Sequence, residues 1–246
     1  MQGVSRTFDL YLPEHKYDNS KPLVFMFHGH SADADVMTGE NQRRAPYKLW
    51  LTLAEPNGEL GSDGMRGWND CRADSCTDPK TDDVAFAMAM LGHIQTLTAV
   101  DTARVYVTGT SNGGNMVLRL AMEAPQIFAA VAAVVAAIPE HNACQDLRQP
   151  ISVLFMNGVE DPILPYQGGL VGREKDRRGS TALASQSVQY WLAVNRITAQ
   201  PEIHEFPDVN KTGRSTVMRY RYVNNIRNGN GNGNGNGNDS PEVVLY

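Results

Sequence analysis

The sequence predicts an α/β fold, a mainly parallel central sheet with helices on both faces. Two observations carry that expectation. Short apolar runs bounded by Gly, Pro and Asp alternate with longer segments of helical periodicity, as in strands joined by crossover helices. The 246 residues, 41% hydrophobic and 20% charged, suffice for one large core and match neither a disordered nor a fibrous composition. One globular domain spanning 1–246 is the expected organisation.

The elements follow in chain order. From Val4 to Leu12 the chain already alternates like a strand, so no signal peptide is read, and the expectation is a cytoplasmic protein or one written without its leader. Further strands are expected over 22–28, 50–55, 104–108, 128–135 and 151–156. Between them, 83–97 places Val84, Met88, Leu91 and Ile94 on one side of a helix, and 113–124 and about 181–195 read as two more. Residues 216–223 and 243–246 look like strands. They are separated by 228–238, a strict Asn/Gly alternation that cannot pack a core and is expected to be a flexible surface spacer.

Composition excludes several function classes. Net charge is -5, and no Lys/Arg cluster flanked by aromatics tracks a phosphate backbone, so nucleic acid is not an expected partner. The longest apolar run, 127–138, is too short to cross a bilayer and reads as a buried strand. Of three cysteines, Cys71 and Cys76 lie close together in a Gly/Asp-rich loop and are candidates to pair outside the cytosol, with Cys144 the odd one.

The most informative stretch runs from Arg104 to Met116. An apolar strand enters Gly109-Thr110-Ser111-Asn112-Gly113 and passes directly into a helical pattern, the context of a nucleophile elbow. A serine on a sharp strand-to-helix turn needs small neighbours so that backbones can approach and the hydroxyl can project. A plain Gly-rich turn is the bland alternative, and the flanking strand and helix favour the nucleophile. The helix start aims backbone N–H groups at the site, making Asn112 N–H the first candidate donor of an oxyanion hole. The second is His30 or Ser31, just beyond the apolar strand ending in His28-Gly29. His28 and His30 lack further ligands at metal spacing, so His28 reads as a brace of that loop.

Asp161 is the acid candidate, on the turn after the 151–156 strand and after the serine in chain order. Such a carboxylate orients an imidazole and stabilises its charged form. Glu160 competes for the role, and a solvated loop carboxylate is the plain alternative.

With these residues identified, nearly the whole chain resembles the polyhydroxybutyrate depolymerase and feruloyl esterase-like group of α/β-hydrolases. The resemblance rests on the opening strand at 6–13, His28-Gly29, Gly67-Trp68-Asn69, Asp83-Val84-Ala85-Phe86, 109–114, and Asn157-Gly158 through Asp161 to Pro165-Tyr166-Gln167-Gly168-Gly169. It implies the α/β-hydrolase fold, serine ester hydrolysis with neither a metal nor an organic cofactor, a small-molecule or polymeric ester substrate, and an extracellular or periplasmic setting. Trp68 and Tyr166, in loops near the strand ends, are candidates for an aromatic wall around an acyl or aryl group, with core packing the alternative for each.

A Ser-His-Asp mechanism needs a base after the acid. His15 precedes the sheet, His28 and His30 belong to the oxyanion loop, His93 lies within a helix and His141 precedes Asp161. His204 follows the acid but sits in an alternating strand-like segment. The resembling family carries its histidine in a Gly-rich loop after a strand like 243–246. The expectation is a C-terminally truncated piece whose base lies beyond Tyr246. A serine peptidase and a non-catalytic binding module on the same scaffold are the rival readings.

Overall fold

The computed structural model describes residues 5–13, 20–35, 50–208, 216–224 and 240–246. His15 and the Asn/Gly alternation of 228–238 lie outside them.

Thirteen strands and three helices are described here. In order they are β1 (Phe8–Tyr11), β2 (Lys21–Phe27), β3 (Thr52–Pro56), β4 (Glu59–Leu60), β5 (Arg66–Gly67), α1 (Asp83–Leu97), β6 (Val100–Thr110), α2 (Asn112–Glu123), β7 (Ala130–Val134), β8 (Ser152–Met156), β9 (Gly169–Leu170), β10 (Ser180–Thr181), α3 (Ala184–Val194), β11 (Glu202–Phe206), β12 (Val217–Tyr222) and β13 (Val243–Leu245). Nine form one sheet in the order β1-β3-β2-β6-β7-β8-β13-β12-β11. The run from β3 to β13 is parallel, whereas β1, β12 and β11 join antiparallel at the two sides.

Local chemistry sets the boundaries. Helix α1 starts where Asp82 accepts the Ala85 N–H at 3.0 Å, satisfying one of the four free donors of a helix start. Strand β6 begins earlier than the apolar run because Asp101 accepts the Ala103 N–H at 3.0 Å and pairs with Arg104 at 2.7 Å, holding the polar entry extended. Along β6, β7 and β8 burial alternates, as the two-residue period of a strand requires.

One face of the sheet carries Leu23, Phe25, Phe27, Val105, Val107, Val131, Val153, Phe155, Val243 and Leu245. These share a single core with Phe86, Met90 and Ile94 of α1, Met116, Val117 and Leu120 of α2, and Val188 and Trp191 of α3. Val24, Tyr106, Ala130, Ala132, Leu154 and Val244 line an apolar depression on the opposite face. No helix among the described residues is long and apolar enough to cross a membrane.

The cysteine expectation is corrected. Cys71 pairs with Cys144, their Cα atoms 5.3 Å apart, and Cys76 is free and exposed. Backbone pairing of the two loops explains the choice: Ala143 N–H donates to Cys71 O at 2.9 Å and Ala73 N–H to His141 O at 2.9 Å. Cys76 is instead held to the 170s loop, its N–H on Arg177 O at 2.9 Å.

Candidate active site

Ser111 stands at the carboxyl end of β6, directly before α2, with φ 57° and ψ -124°. A non-glycine residue at positive φ costs on the order of 1–3 kcal/mol and persists only where its surroundings over-determine it. Here the Ser111 N–H donates to Val134 O and the Asn115 N–H to Ser111 O, both at 2.9 Å. The flanking glycines are required by proximity. A Cβ at Gly109 would lie 2.5 Å from Gly113 O, and one at Gly113 would collide with the carbonyl oxygens of Phe27 and His28.

Strand order arranges the other groups. The oxyanion loop follows β2, next to β6 on one side; Asp161 follows β8, two strands away on the other, about 10 Å at the usual interstrand spacing. His28 is fully buried and braces its loop as expected: Nδ1 donates to Gly29 O at 2.7 Å and Nε2 accepts the Gly58 N–H at 2.9 Å. Burial lowers the His28 pKa and keeps the ring neutral.

Of the two candidate second donors, Ser31 is already engaged, its N–H on Arg66 O at 2.8 Å, which corrects its proposed role. No described hydrogen bond occupies the N–H of His30 or of Asn112. The His30 ring has Nε2 3.0 Å from Asp63 Oδ2, and burial, reinforced by the Arg178 charge, lowers its pKa.

Asp161 Oδ1 accepts the N–H groups of Ile163 at 2.7 Å and Leu164 at 2.9 Å, fixing the carboxylate in an Asx turn. Glu160 beside it is exposed. Asn157, at the end of β8, exchanges two 3.0 Å hydrogen bonds with the backbone of Ala136, which ties this turn to the loop after β7.

Trp68 is core rather than a substrate wall. It is 0% exposed, its Nε1–H donates to His28 O at 2.8 Å, and its ring packs edge-on against Phe27 with centroids 4.7 Å apart. Tyr166 is half-buried near Tyr220, whose proximity adds to burial in raising the Tyr166 pKa. His204 lies on β11, five strands from β6 and so about 24 Å away, with its ring 4.7 Å from that of Phe206. It is too far from Ser111 to serve as the base. His93 packs edge-on to Phe8, and His141 is exposed. Cys71, Cys144 and Glu123 converge within 4.8 Å, but the disulfide removes the thiolates that a metal would need.

A family model described as the prolyl oligopeptidase family matches residues 66–139, the segment that contains the elbow. A putative esterase, NocK, of Nocardia uniformis subsp. tsuyamanensis is 34% identical over 152 residues, covering 60% of this chain and 42% of the relative. A probable feruloyl esterase C of Aspergillus niger is 26% identical over 168 residues, covering 67% and 58% respectively. The chain thus spans about half the length of these relatives. Among solved structures, native sOPH superposes with a TM-score of 0.55 at 17% identity, covering 83% of this chain and 76% of the other. A thermostable esterase gives a TM-score of 0.52 at 16% identity, covering 78% and 48%. This chain has the α/β-hydrolase fold.

Beneath the elbow this chain buries a polar cluster that the sequence did not single out. Asp70, 1% exposed, pairs with Arg72 at 2.7 Å, and Arg72 also reaches Asp78 at 3.4 Å. Burial would raise the Asp70 pKa, but the Arg72 charge and the hydrogen bonds from Arg72 and Asn112 outweigh it and hold it below the usual range. Asp78 is pushed up to about 8 by burial and by the Asp70 charge. The only sequence signal was the run Asp70, Arg72, Asp74, Asp78 within one loop, which also fits a solvated turn.

Proposed function

We propose that this chain carries the acyl-transfer core of a serine carboxylic-ester hydrolase. The observation that supports it best is Ser111 at φ 57° on the β6–α2 elbow, with the N–H groups of Asn112 and His30 uncommitted beside it. Ser111 Oγ attacks the ester carbonyl carbon while its proton passes to a base, and the carbonyl oxygen becomes an oxyanion held by those two donors. Collapse breaks the bond to the alkoxy oxygen, which leaves as the alcohol with that proton. Water then attacks the acyl-enzyme, releasing the acid and restoring the hydroxyl.

Asp161 is assigned to orient the base. Its turn is anchored by β13: Tyr246 N–H donates to Phe155 O at 2.9 Å and Asn157 N–H to Tyr246 O at 3.1 Å, so β13 ends beside the strand that leads to Asp161. The feruloyl esterase name of the Aspergillus relative supports feruloyl esters as the substrate class, with Tyr166 at the acyl or aryl side. The Cys71–Cys144 disulfide supports an oxidising, extracellular or periplasmic setting. The prolyl oligopeptidase match falls on the elbow region shared by hydrolases of either type and adds no peptide-binding element.

The test is turnover of p-nitrophenyl butyrate, with and without added imidazole, combined with mass-spectrometric mapping of fluorophosphonate labelling. Label on Ser111 and loss of turnover in Ser111→Ala are expected. Equal turnover by Ser111→Ala would refute the assignment. Strong stimulation by imidazole would show that no histidine of this chain supplies the base, and an unstimulated full rate that one of them does.

A further inference from the structure

The buried side chain of Asn112 is held from two sides. Its Oδ1 accepts the Trp68 N–H at 2.7 Å, and its Nδ2 donates to Trp68 O at 3.1 Å and to Asp70 Oδ2 at 2.7 Å. Both N–H donors and the carbonyl oxygen of the amide are thereby engaged in a residue 3% exposed. The same Asp70 oxygen accepts Asn115 Nδ2 at 3.3 Å and Arg72 at 2.7 Å, so one carboxylate gathers the first turn of α2. Asn115 in turn accepts the Ala137 N–H at 3.3 Å, linking that turn to the loop after β7.

This arrangement bears on the strained peptide between Ser111 and Asn112. The N–H of Asn112 is the proposed oxyanion donor, and it belongs to the peptide that would rotate if Ser111 relaxed from positive φ. The Asn112 side-chain amide resists such a rotation, because it is tied both to the Trp68 backbone beside β5 and to a carboxylate paired with Arg72. Asp70 makes no approach to a substrate through these contacts; its effect passes through Asn112.

We infer that Asp70 is a positioning residue of the oxyanion hole, holding the Asn112 amide so that the adjacent N–H stays aimed at the developing oxyanion. The inference rests on the ester-hydrolase reading for its chemistry and on the hydrogen-bond geometry for its mechanics, and the two are tested separately. Asp70→Ala removes the acceptor, while Asp78 still lies 3.4 Å from Arg72. Asp70→Asn retains an acceptor oxygen for Asn112.

Kinetics are measured per active site titrated with fluorophosphonate, so that misfolded protein does not count. Asp70→Ala is expected to lower kcat by about 10- to 100-fold, short of full loss of an oxyanion donor, with KM changed by less than about 3-fold. Affinity for a boronate that mimics the tetrahedral adduct should fall in parallel. Asn112→Ala should match it, the double variant should be no worse than either single one, and Asp70→Asn should recover most of the loss. A merely structural role would lower thermal stability and active fraction while leaving kcat per site unchanged, which would overturn the inference.

Crystal structures of Asp70→Ala and Asp70→Asn supply the second arm. A rotated Ser111–Asn112 peptide in the first and the original elbow in the second support the inference; an unchanged elbow in Asp70→Ala overturns it. If wild-type Ser111 neither turns over esters nor takes the label, the hydrolase reading fails, and the crystallographic arm still decides whether Asp70 holds the elbow.

Discussion

At Gly113 the elbow leaves no room for a single extra carbon. A methyl there meets the carbonyl oxygens of Phe27 and His28, which are backbone atoms and cannot swing aside as a side chain could. Gly113→Ala is expected to cost roughly 2–4 kcal/mol, read as a lower urea midpoint; an unchanged midpoint would contradict the packing described. Asp78 makes a prediction in pH. Its folded pKa, about 8, lies above its ordinary 3.8, so between those values the folded protein retains a proton that the unfolded chain has released. Stability therefore falls as pH rises from about 4 to about 8, and the cost is constant above that. Asp78→Asn removes the cost and should gain at least about 1 kcal/mol over the parent at pH 8 compared with pH 4.5. A pH-independent difference in urea midpoint would refute it. These residues also mark the limit of reading at this scale. The strand-to-helix turn that carries Ser111 and the turn after β8 that carries Asp161 were legible because the flanking strands and helix gave them a context. Trp68 was not resolved, because a loop residue has no periodicity to say which way its ring turns.

Among the elements, the long ones were read closely and the short ones were missed. Helix α1 carries both a capping aspartate and a buried stripe, and its expected span of 83–97 is the observed Asp83–Leu97. The two-residue strands β4, β5, β9 and β10 are below the length at which alternation means anything. Yet β5 delivers Trp68 and Asp70 to the elbow, so the unread part of the fold is the part that supports the site. At the far side of the sheet, Arg221 on β12 spans to Glu242 at 2.7 Å and Glu202 at 3.1 Å, joining the approaches to β13 and β11. All three side chains are at least a third exposed, and water and salt screen such pairs. Arg221→Ala is expected to cost no more than about 1 kcal/mol, an effect shrinking further in 1 M salt; a large loss in thermal unfolding would show that the strand depends on the pair.

For the whole molecule, topology decides what can act together. The parallel strands present the oxyanion loop, Ser111 and the Asp161 turn at one edge in the order β2, β6, β8, while the antiparallel β12 and β11 carry His204 away from them. That class of sheet was predictable from the alternation of segments, but the cysteine pairing was not, since connectivity follows from three-dimensional approach rather than spacing. The bridge from Cys71 to Cys144 spans 73 positions of sequence, enclosing α1, β6, α2 and β7. Reduction is expected to cost about 2–4 kcal/mol, seen as a lower melting temperature in dithiothreitol, and an unchanged melting curve would argue against the bridge. Seen as a covalent ring, the same bridge holds the elbow captive: a protease cut anywhere between the two cysteines would leave both fragments migrating as one species until the thiols are reduced.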